Sequence, residues 1–256
     1  NCGNISSAVG PFAVDEGLVK AVEPITRVRI HQKSTNKLIT AEVPVKNGRF
    51  DEDGDYTIAG VPSPAAKIVL RFDDPCGALT GKLFPTGNVK DTLDVPEVGT
   101  IELTVIDAAN PVILVQAAAL GLSGLEIDEV DNDASIRQRL ENVRCAVSVE
   151  IGLTETMEEA TSRSQAVPKI AFITAAETCQ TLDGNTIKET DVDLIGRMMS
   201  MGTLHKSYAV SGAVSTVGAA MIPGTVAHDL LKPEAHQKEM LSIGHPGGII
   251  DVGAVI

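Results

Sequence analysis

Between positions 25 and 72, short apolar runs alternate with clusters of turn-forming residues, and this alternation limits the chain to folds that contain a β-sheet. The runs are rich in β-branched side chains, which are typical of strands. The clusters at 33–37, 46–55 and 60–64 are rich in Gly, Pro, Asn, Asp and other polar residues and predict turns. The predicted strands form an antiparallel meander and are Ile25–His31, Leu38–Val45, Tyr56–Ala59 and Lys67–Phe72.

Helices flank the strand-rich segments. The first, Asn1–Val19, is apolar on most sides, so we expect it to be buried and to kink at Pro11. The segment Leu120–Val147 predicts an acidic loop and then a helix, with Asp133 or Ser135 as N-cap. The remaining predictions are helices over Asp191–Leu204 and Ser211–Met221, and strands over Thr100–Asp107, Pro111–Gln116, Val167–Thr174, Met240–Ile243 and Gly248–Val252. Because helices and strands occur in separate blocks, the fold class is α+β.

The length of 256 residues and a weak internal repeat predict two similar lobes. CGNISSAV at 2–9 aligns with SGAVSTVG at 211–218, with one Gly and one Ser in common. We expect lobes at 1–118 and 119–256, each a curled mixed or antiparallel sheet around a central helix of small residues. The sequence begins with Asn rather than Met and ends in a strand-like pattern. We therefore expect a piece of a longer protein, whose first lobe has further early strands and whose second lobe has further closing elements.

Composition and motif content argue against several classes of function. The net charge is −13 and no Lys/Arg-rich run occurs, so we expect no nucleic-acid binding. The longest apolar stretch, Pro111–Leu122, is shorter than the ~20 residues of a membrane span. Dinucleotide, P-loop and nucleophile-elbow motifs are absent and the histidines lack metal-ligand spacing, so we expect neither cofactor nor metal. Four cysteines without C-x-x-C spacing, and no secretion signal, favour the cytoplasm.

Two predicted helix starts have the character of anion sites. Cys2 and Gly3 begin the first helix, and Ser211, the expected N-cap, and Gly212 begin a later one. The first N–H groups of a helix have no intrahelical partner and lie at the positive end of its dipole, so they favour a carboxylate or a thiolate. Two such starts facing each other across a cleft would hold both ends of a di- or tricarboxylate. The simpler alternatives are an ordinary cysteine beside a glycine turn and a plain capping serine.

Eight segments make the sequence resemble a known family. They are NCGN at 1–4, GPFAVDEGLV at 10–19, PTGNV at 85–89, DAANPV at 107–112, VPKIAF at 167–172, MMSMGTLHKSYAVSGAV at 198–214, IPGTV at 222–226 and IGHPGG at 243–248. In this order they resemble the PrpF family of methylaconitate isomerases over essentially the whole chain. That family is similar to the diaminopimelate epimerases, so the resemblance implies two lobes that each wrap a sheet around a helix and bind substrate between them.

The resemblance also implies an activity and a set of site residues. The activity is a cofactor-independent 1,3-proton shift on an unsaturated tricarboxylate, namely 2-methylaconitate cis–trans isomerisation in propionate breakdown through methylcitrate. Cys2 matches the first of the two epimerase cysteines and is the candidate acid/base, whereas Ser211 stands at the second position. The family's candidate base is a lysine ahead of the NCGN motif, and this sequence starts after it. The candidate substrate contacts are Asn1, Gly3, Asn4, Asn110, Lys169, His205, Ser211, Gly212 and Ala213.

Two other functions stay open at this stage. The first is a tautomerase or Δ-isomerase that acts on a related acid such as 4-oxalomesaconate or methylitaconate. The second is a non-catalytic protein that holds an aconitate-like acid for a dehydratase. The expected partner is a small tricarboxylate, with no nucleic acid and no membrane. Homo-oligomerisation and a functional link to an aconitase-like dehydratase also stay open.

Overall fold

A computed structural model describes residues 2–254 and confirms the α+β class. The α-helices of this part of the chain are α1 Gly3–Asp15, α2 Asp128–Asn132, α3 Ala134–Glu150, α4 Met157–Arg163 and α5 Val210–Ala220. Short 3-10 turns occur at Ala117–Leu120, His228–Leu230 and Pro233–Gln237. No helix among the described residues is both long enough and apolar enough to cross a membrane.

The strands fall into a small sheet, a large sheet and a separate short pair. The first seven are β1 Ile25–Gln32, β2 Lys37–Lys46, β3 Arg49–Phe50, β4 Val69–Asp73, β5 Asp91–Val95, β6 Gly99–Asp107 and β7 Pro111–Gln116. The others are β8 Lys169–Ala175, β9 Cys179–Gln180, β10 Thr186–Ile187, β11 Leu194–Ser200, β12 Thr203–Leu204, β13 Met240–His245 and β14 Gly248–Gly253.

The small sheet contains β1 to β4 and packs against α1. Strand β2 pairs antiparallel with β1, β3 and β4. The sheet is antiparallel as predicted, but it is not a simple meander, because β4 pairs with β2 rather than with the strand before it. The helix approaches the sheet closely because Gly10 faces it, and a Cβ at Gly10 would lie 2.6 Å from a methyl group of Val43. The buried core between α1 and the sheet consists of Ala13, Val14, Val28, Ala41, Val43 and Val45.

The large sheet has the strand order β14-β13-β11-β8-β7-β6-β5, with β12 paired to β11. Its β7–β8 and β11–β13 pairs are parallel. Helix α5 covers one face and α3 covers the other, so the central strands are buried on both sides and are almost continuously apolar. Helix α3 begins at the expected N-cap, because the Asp133 side chain accepts a hydrogen bond from the Ser135 N–H.

The predicted helix over Asp191–Leu204 is wrong. The structure has strand β11 there, which pairs with β8 on one side and β13 on the other, followed by a tight turn and β12. Residues 194–199 are all buried, so the segment has no polar face from which its periodicity could be recognised. A fully buried strand and a buried helix have the same apolar appearance in sequence.

Two further predictions fail near the small sheet. Tyr56–Ala59 is not a strand, since Tyr56 forms only an isolated bridge to Ala65. Helix α1 is not buried on most sides, because Ile5 is 68% and Phe12 is 60% exposed. The core that α1 shares with the small sheet contains Ala13 and Val14 instead.

Candidate active site

The N-termini of α1 and α5 meet in the structure. Gly3, the first residue of α1, is buried against Val210, the first residue of α5. A Cβ at Gly3 would lie 2.3 Å from the Val210 Cβ, so only glycine permits this approach. The two positively polarised helix ends therefore lie side by side.

Cys2 is the N-cap of α1, and its side chain is exposed. Its backbone is extended, with φ −127° and ψ 107°, and its side chain makes no capping hydrogen bond. The Cys2 carbonyl accepts hydrogen bonds from both the N–H and the hydroxyl of Ser6. The N–H groups of Gly3 and Asn4 precede the first helical hydrogen bond and have no intrahelical acceptor, so they are available to an anion.

Helix α5 begins earlier than the sequence predicts. Its N-cap is Ala209, so the expectation that Ser211 caps the helix is wrong, and Ser211 lies buried in the first turn. The expectation that Ala213 offers its amide is also wrong, because that N–H donates to the Ala209 carbonyl at 2.8 Å. The N–H groups without an intrahelical acceptor are those of Val210, Ser211 and Gly212.

Tyr208 lies just before α5 and packs against that helix. It is 2% exposed, and its hydroxyl shares a hydrogen bond with the Thr216 hydroxyl at 3.0 Å. Its ring lies against Gly196 of β11, where a Cβ would come within 2.8 Å of the ring. Burial raises the pKa of the Tyr208 hydroxyl far above its ordinary value, so this group stays neutral.

Asn110 lies in the β6–β7 turn and is attached to α5 through the backbone. The Ser215 hydroxyl, one turn beyond Ser211, lies 2.5 Å from the Ala108 carbonyl oxygen and 2.8 Å from that of Asn110. Ala109 between them has φ 73°, which gives the turn its sharp direction. Asn110 itself is 8% exposed, and its backbone carbonyl is attached to α5 through Ser215.

Lys169 begins β8 beside the start of β7, where it is the register partner of Val112. The side chain is half-buried, and no carboxylate in residues 2–254 forms an ion pair with it. Burial lowers the pKa of the Lys169 ammonium, and the charge of the nearby Cys2 acts in the opposite direction. An ammonium without a carboxylate partner favours an anionic ligand.

His205 follows β12 and is held by the backbone on two sides. Its N–H donates to the Met198 carbonyl at 2.9 Å, and its Nδ1 accepts a hydrogen bond from the Ser207 N–H at 3.1 Å. Burial and the Lys169 charge lower the pKa of His205, so the ring is neutral near pH 7. Because Nδ1 is the acceptor, the proton of the neutral ring is on Nε2, which is therefore a hydrogen-bond donor.

His245, which was not among the predicted site residues, lies beside His205. It ends β13, is 2% exposed, and interacts electrostatically with His205. The IGHPGG segment gave a signal only for a turn, which the structure does place between β13 and β14. The burial of the histidine depends on tertiary packing against residues 205–207, and no local pattern predicts that packing.

Most of the predicted site residues therefore lie around one point. Cys2, Lys169 and His205 interact electrostatically, and the free amides of α1 and α5 meet beside Cys2. The predicted contact Asn1 lies outside the described residues. The group combines a thiol for proton transfer with N–H donors and an ammonium that stabilise negative charge.

Comparison with protein families gives a match over residues 1–255 to the family model described as PrpF protein. The chain is 45% identical to 3-methylitaconate isomerase of Eubacterium barkeri, covering 100% of this chain and 67% of the relative. Identity is 40% to 2-methyl-aconitate isomerase of Cupriavidus necator, with 99% and 65% covered. For 4-oxalomesaconate tautomerase of Pseudomonas putida, identity is 34%, with 97% and 63% covered. The chain thus spans about two thirds of the length of these relatives.

Solved structures agree with these sequence comparisons. The crystal structure of methylitaconate-delta-isomerase matches with a TM-score of 0.91 and 44% identity, covering 100% of this chain and 66% of that one. A probable proline racemase from Agrobacterium radiobacter matches with a TM-score of 0.52 and 14% identity, covering 99% and 59%, which shows a shared fold alone. The fold is thus the proline racemase and diaminopimelate epimerase type, and the chain belongs to the PrpF family, whose relatives named here include isomerases.

Proposed function

We propose that this chain carries the site at which an isomerase moves a proton along an unsaturated polycarboxylate. One observation carries the proposal. The N-termini of α1 and α5 meet beside Cys2 and near Lys169, which has no carboxylate partner among the described residues. Local N–H groups and one ammonium attract the carboxylates even though the whole chain has a net charge of −13. The proposed reaction is a proton transfer, which requires no redox cofactor.

The proposed 1,3-shift proceeds through an enolate-like intermediate. A base removes a proton from the carbon next to the unsaturated acid, and the electron pair moves through the double bond onto a carboxylate oxygen. The helix amides, the His205 Nε2–H and the Lys169 ammonium stabilise that charge. A proton then returns to the far carbon of the allylic system. Cys2 serves as one acid/base group, and the family resemblance supplies the second as a lysine ahead of the NCGN motif.

Two substrates are supported by different observations. The family match and the C. necator relative support 2-methylaconitate, a tricarboxylate, and with it a place in propionate breakdown. The E. barkeri relative and the TM-score of 0.91 support methylitaconate, which has one carboxylate fewer. Our first choice is 2-methylaconitate, because Lys169 adds a cation to the two helix ends. The cytoplasmic location, homo-oligomerisation and the dehydratase link stay predictions.

The test is exchange of solvent deuterium into 2-methylaconitate, methylitaconate and 4-oxalomesaconate. We expect the protein to incorporate deuterium and Cys2→Ser to slow incorporation by about 100-fold or more, since a hydroxyl is a much weaker acid than a thiol and its conjugate base is scarcely populated near neutral pH. Cys76→Ser, which changes the other exposed thiol, should exchange as the unmodified protein does. Undiminished exchange in Cys2→Ser would show that Cys2 is not the acid/base.

The same assay separates the enzyme from the binding-protein alternative. Binding of the acids without deuterium incorporation by the unmodified protein would favour a non-catalytic carrier. Relative kcat/KM values for the three acids would identify the substrate, because specificity among them depends on few contacts.

A further inference from the structure

The imidazole rings of His205 and His245 are fixed by the same kind of hydrogen bond. The Nδ1 atom of His205 accepts from the Ser207 N–H at 3.1 Å, and Nδ1 of His245 accepts from the Gly247 N–H at 3.1 Å. In both cases the donor is the backbone two residues further along the chain. Two imidazoles in one cluster therefore have a fixed orientation and a fixed acceptor nitrogen.

The two supporting loops pack against each other. A Cβ at Gly247 would lie 3.1 Å from the Lys206 carbonyl oxygen and 3.5 Å from Cε1 of His245. The segment 245–247 is thus closely packed against 205–207, and glycine at 247 allows it. Because His205 belongs to the candidate site, this contact places the buried His245 imidazole beside that site.

The hydrogen bond at Nδ1 decides what Nε2 can bind. A neutral imidazole that accepts at Nδ1 carries its proton on Nε2 and donates there. A metal bound at Nε2 would leave the proton on Nδ1, facing the Gly247 N–H, so metal ligation is disfavoured. His245 is 2% exposed, and its Nε2 has no hydrogen-bond partner among residues 2–254. Its Nε2–H is therefore an available donor on a ring that is otherwise buried, which favours a ligand that supplies an acceptor.

The charges around His245 favour a negative ligand. Arg197 is completely buried and donates to the carbonyls of Glu126, Gly196 and Leu125, and no carboxylate in the described chain forms an ion pair with it. Burial, Arg197 and His205 lower the pKa of His245 to about 4. At neutral pH the ring is therefore an uncharged donor in positive surroundings.

We propose that His245 is a substrate-binding residue whose Nε2–H, together with that of His205, donates to one carboxylate at the buried side of the site. This inference rests on the proposed function and adds a residue that was not among the predicted substrate contacts, although its segment IGHPGG carries part of the family resemblance. Two neutral donors hold a carboxylate without adding charge that would compete with Cys2 and Lys169 for protons.

The test uses tricarballylate, a saturated tricarboxylate that cannot undergo the allylic shift. We expect its addition to shift the His205 and His245 imidazole nitrogen resonances, with both rings in the Nε2–H form at pH 7. In calorimetry, His245→Leu should weaken tricarballylate binding by about tenfold or more, because a hydrogen bond to a charged group is lost. His245→Gln, which retains an N–H donor, should recover part of the affinity. His31→Leu, in an exposed strand, is the matched control.

The outcomes separate this inference from the proposed function. If tricarballylate leaves the His245 resonances unchanged, or a folded His245→Leu binds it as tightly as the unmodified protein, His245 is not a ligand residue. That result does not affect deuterium exchange, which tests the reaction. If exchange fails but tricarballylate binding depends on His245, the binding role is supported and the reaction is wrong. Should His245→Leu not fold, the resonance shifts in the unmodified protein still decide.

Discussion

Lys169 shows how a single charge defines the candidate site. The side chain is half-buried, and its pKa is lowered by burial, so the ammonium is held at a cost in solvation. A negative ligand that replaces the lost water would recover that cost. The position therefore favours binding at the expense of the stability of the empty protein.

We expect Lys169→Met to raise KM for the tricarboxylate by about tenfold or more, since a charge-assisted contact is lost. The unfolding temperature should stay equal or rise, because a buried cation without a carboxylate partner is removed. Steady-state kinetics and thermal unfolding check the two parts, with the exposed Lys33→Met as control. An unchanged KM would contradict the assignment of Lys169 to the site.

At the residue scale, sequence alone identified the groups whose role depends on local structure. Cys2 and Gly3 were recognisable because a helix start is a local event, and Lys169 and His205 because the family resemblance marked their segments. The resemblance marked the His245 segment as well, but the ring was not predicted as a contact, since its burial requires the 205–207 loop from another part of the chain. Ala213 was wrongly included because a shift of the α5 N-cap to Ala209 changes which amides are free.

Among the elements, the connection between α5 and the β6–β7 turn has the most direct effect on the site. The Ser215 hydroxyl of α5 forms this connection, because it lies within hydrogen-bond distance of two carbonyl oxygens of the turn. The backbone of Asn110 is therefore fixed to a helix as well as to its own turn. A loose turn would leave Asn110 free to adopt other orientations.

We expect Ser215→Ala to raise KM more than it lowers kcat, because Asn110 is oriented less well while Cys2 is untouched. The free energy of unfolding should fall by about 1–3 kcal/mol, since buried carbonyl groups lose a donor. Urea unfolding and kinetics measure both effects. Ser162→Ala removes a similar hydroxyl-to-carbonyl bond within the exposed helix α4 and should change neither much. If both variants behave alike, the connection does not position Asn110.

The predicted helix over Asp191–Leu204 failed at a segment whose two faces are both buried, whereas the predicted strand Tyr56–Ala59 failed at an exposed segment. Strand β11 has buried residues on both sides, so its pattern does not distinguish it from a helix, and only its neighbours β8 and β13 determine its form. Helix α3 was predictable because Ile136, Leu140, Val143 and Val147 follow one face and lie in one core. An amphipathic pattern identifies its element in sequence, whereas a fully buried segment such as β11 can be mistaken for a helix.

At the scale of the whole molecule, buried neutral bases make stability depend on pH. The folded-state pKa of His245 is about 4, below its ordinary value of 6.5, so the unfolded chain takes up the proton first as the pH falls. The stabilisation is therefore complete above about pH 6.5 and is lost as the pH falls toward 4. His205, whose pKa is also lowered, acts in the same direction.

We expect the free energy of unfolding to fall between about pH 6.5 and pH 4 by on the order of 3 kcal/mol from His245. Urea unfolding at a series of pH values measures the slope, and His245→Leu should have a shallower one. Paired carboxylates such as Glu42 and Glu141 also have lowered pKa values and contribute at the acid end in both proteins. Equal slopes for the two proteins would show that His245 does not titrate in this way.

The overall architecture was partly predictable, because the order of blocks indicated α+β and the resemblance implied the fold type. Pairing within the large sheet was not predictable, since β7 and β8 lie side by side although more than fifty residues separate them. The sheet therefore contains strands from both predicted lobes, and the boundary between 118 and 119 stays a prediction. Contacts between distant segments follow from packing, which a single sequence does not display.

Tyr208 gives the protein an optical signal of its own. The chain has no tryptophan and two tyrosines. Tyr56 is exposed and forms only an isolated bridge to Ala65, whereas Tyr208 is buried and its hydroxyl is bonded to Thr216 of α5. Near-ultraviolet circular dichroism is sensitive to an aromatic ring held in a rigid, asymmetric setting. Ligand binding at the candidate site can therefore be followed without a dye or an added fluorophore, through the ring that supports the helix end.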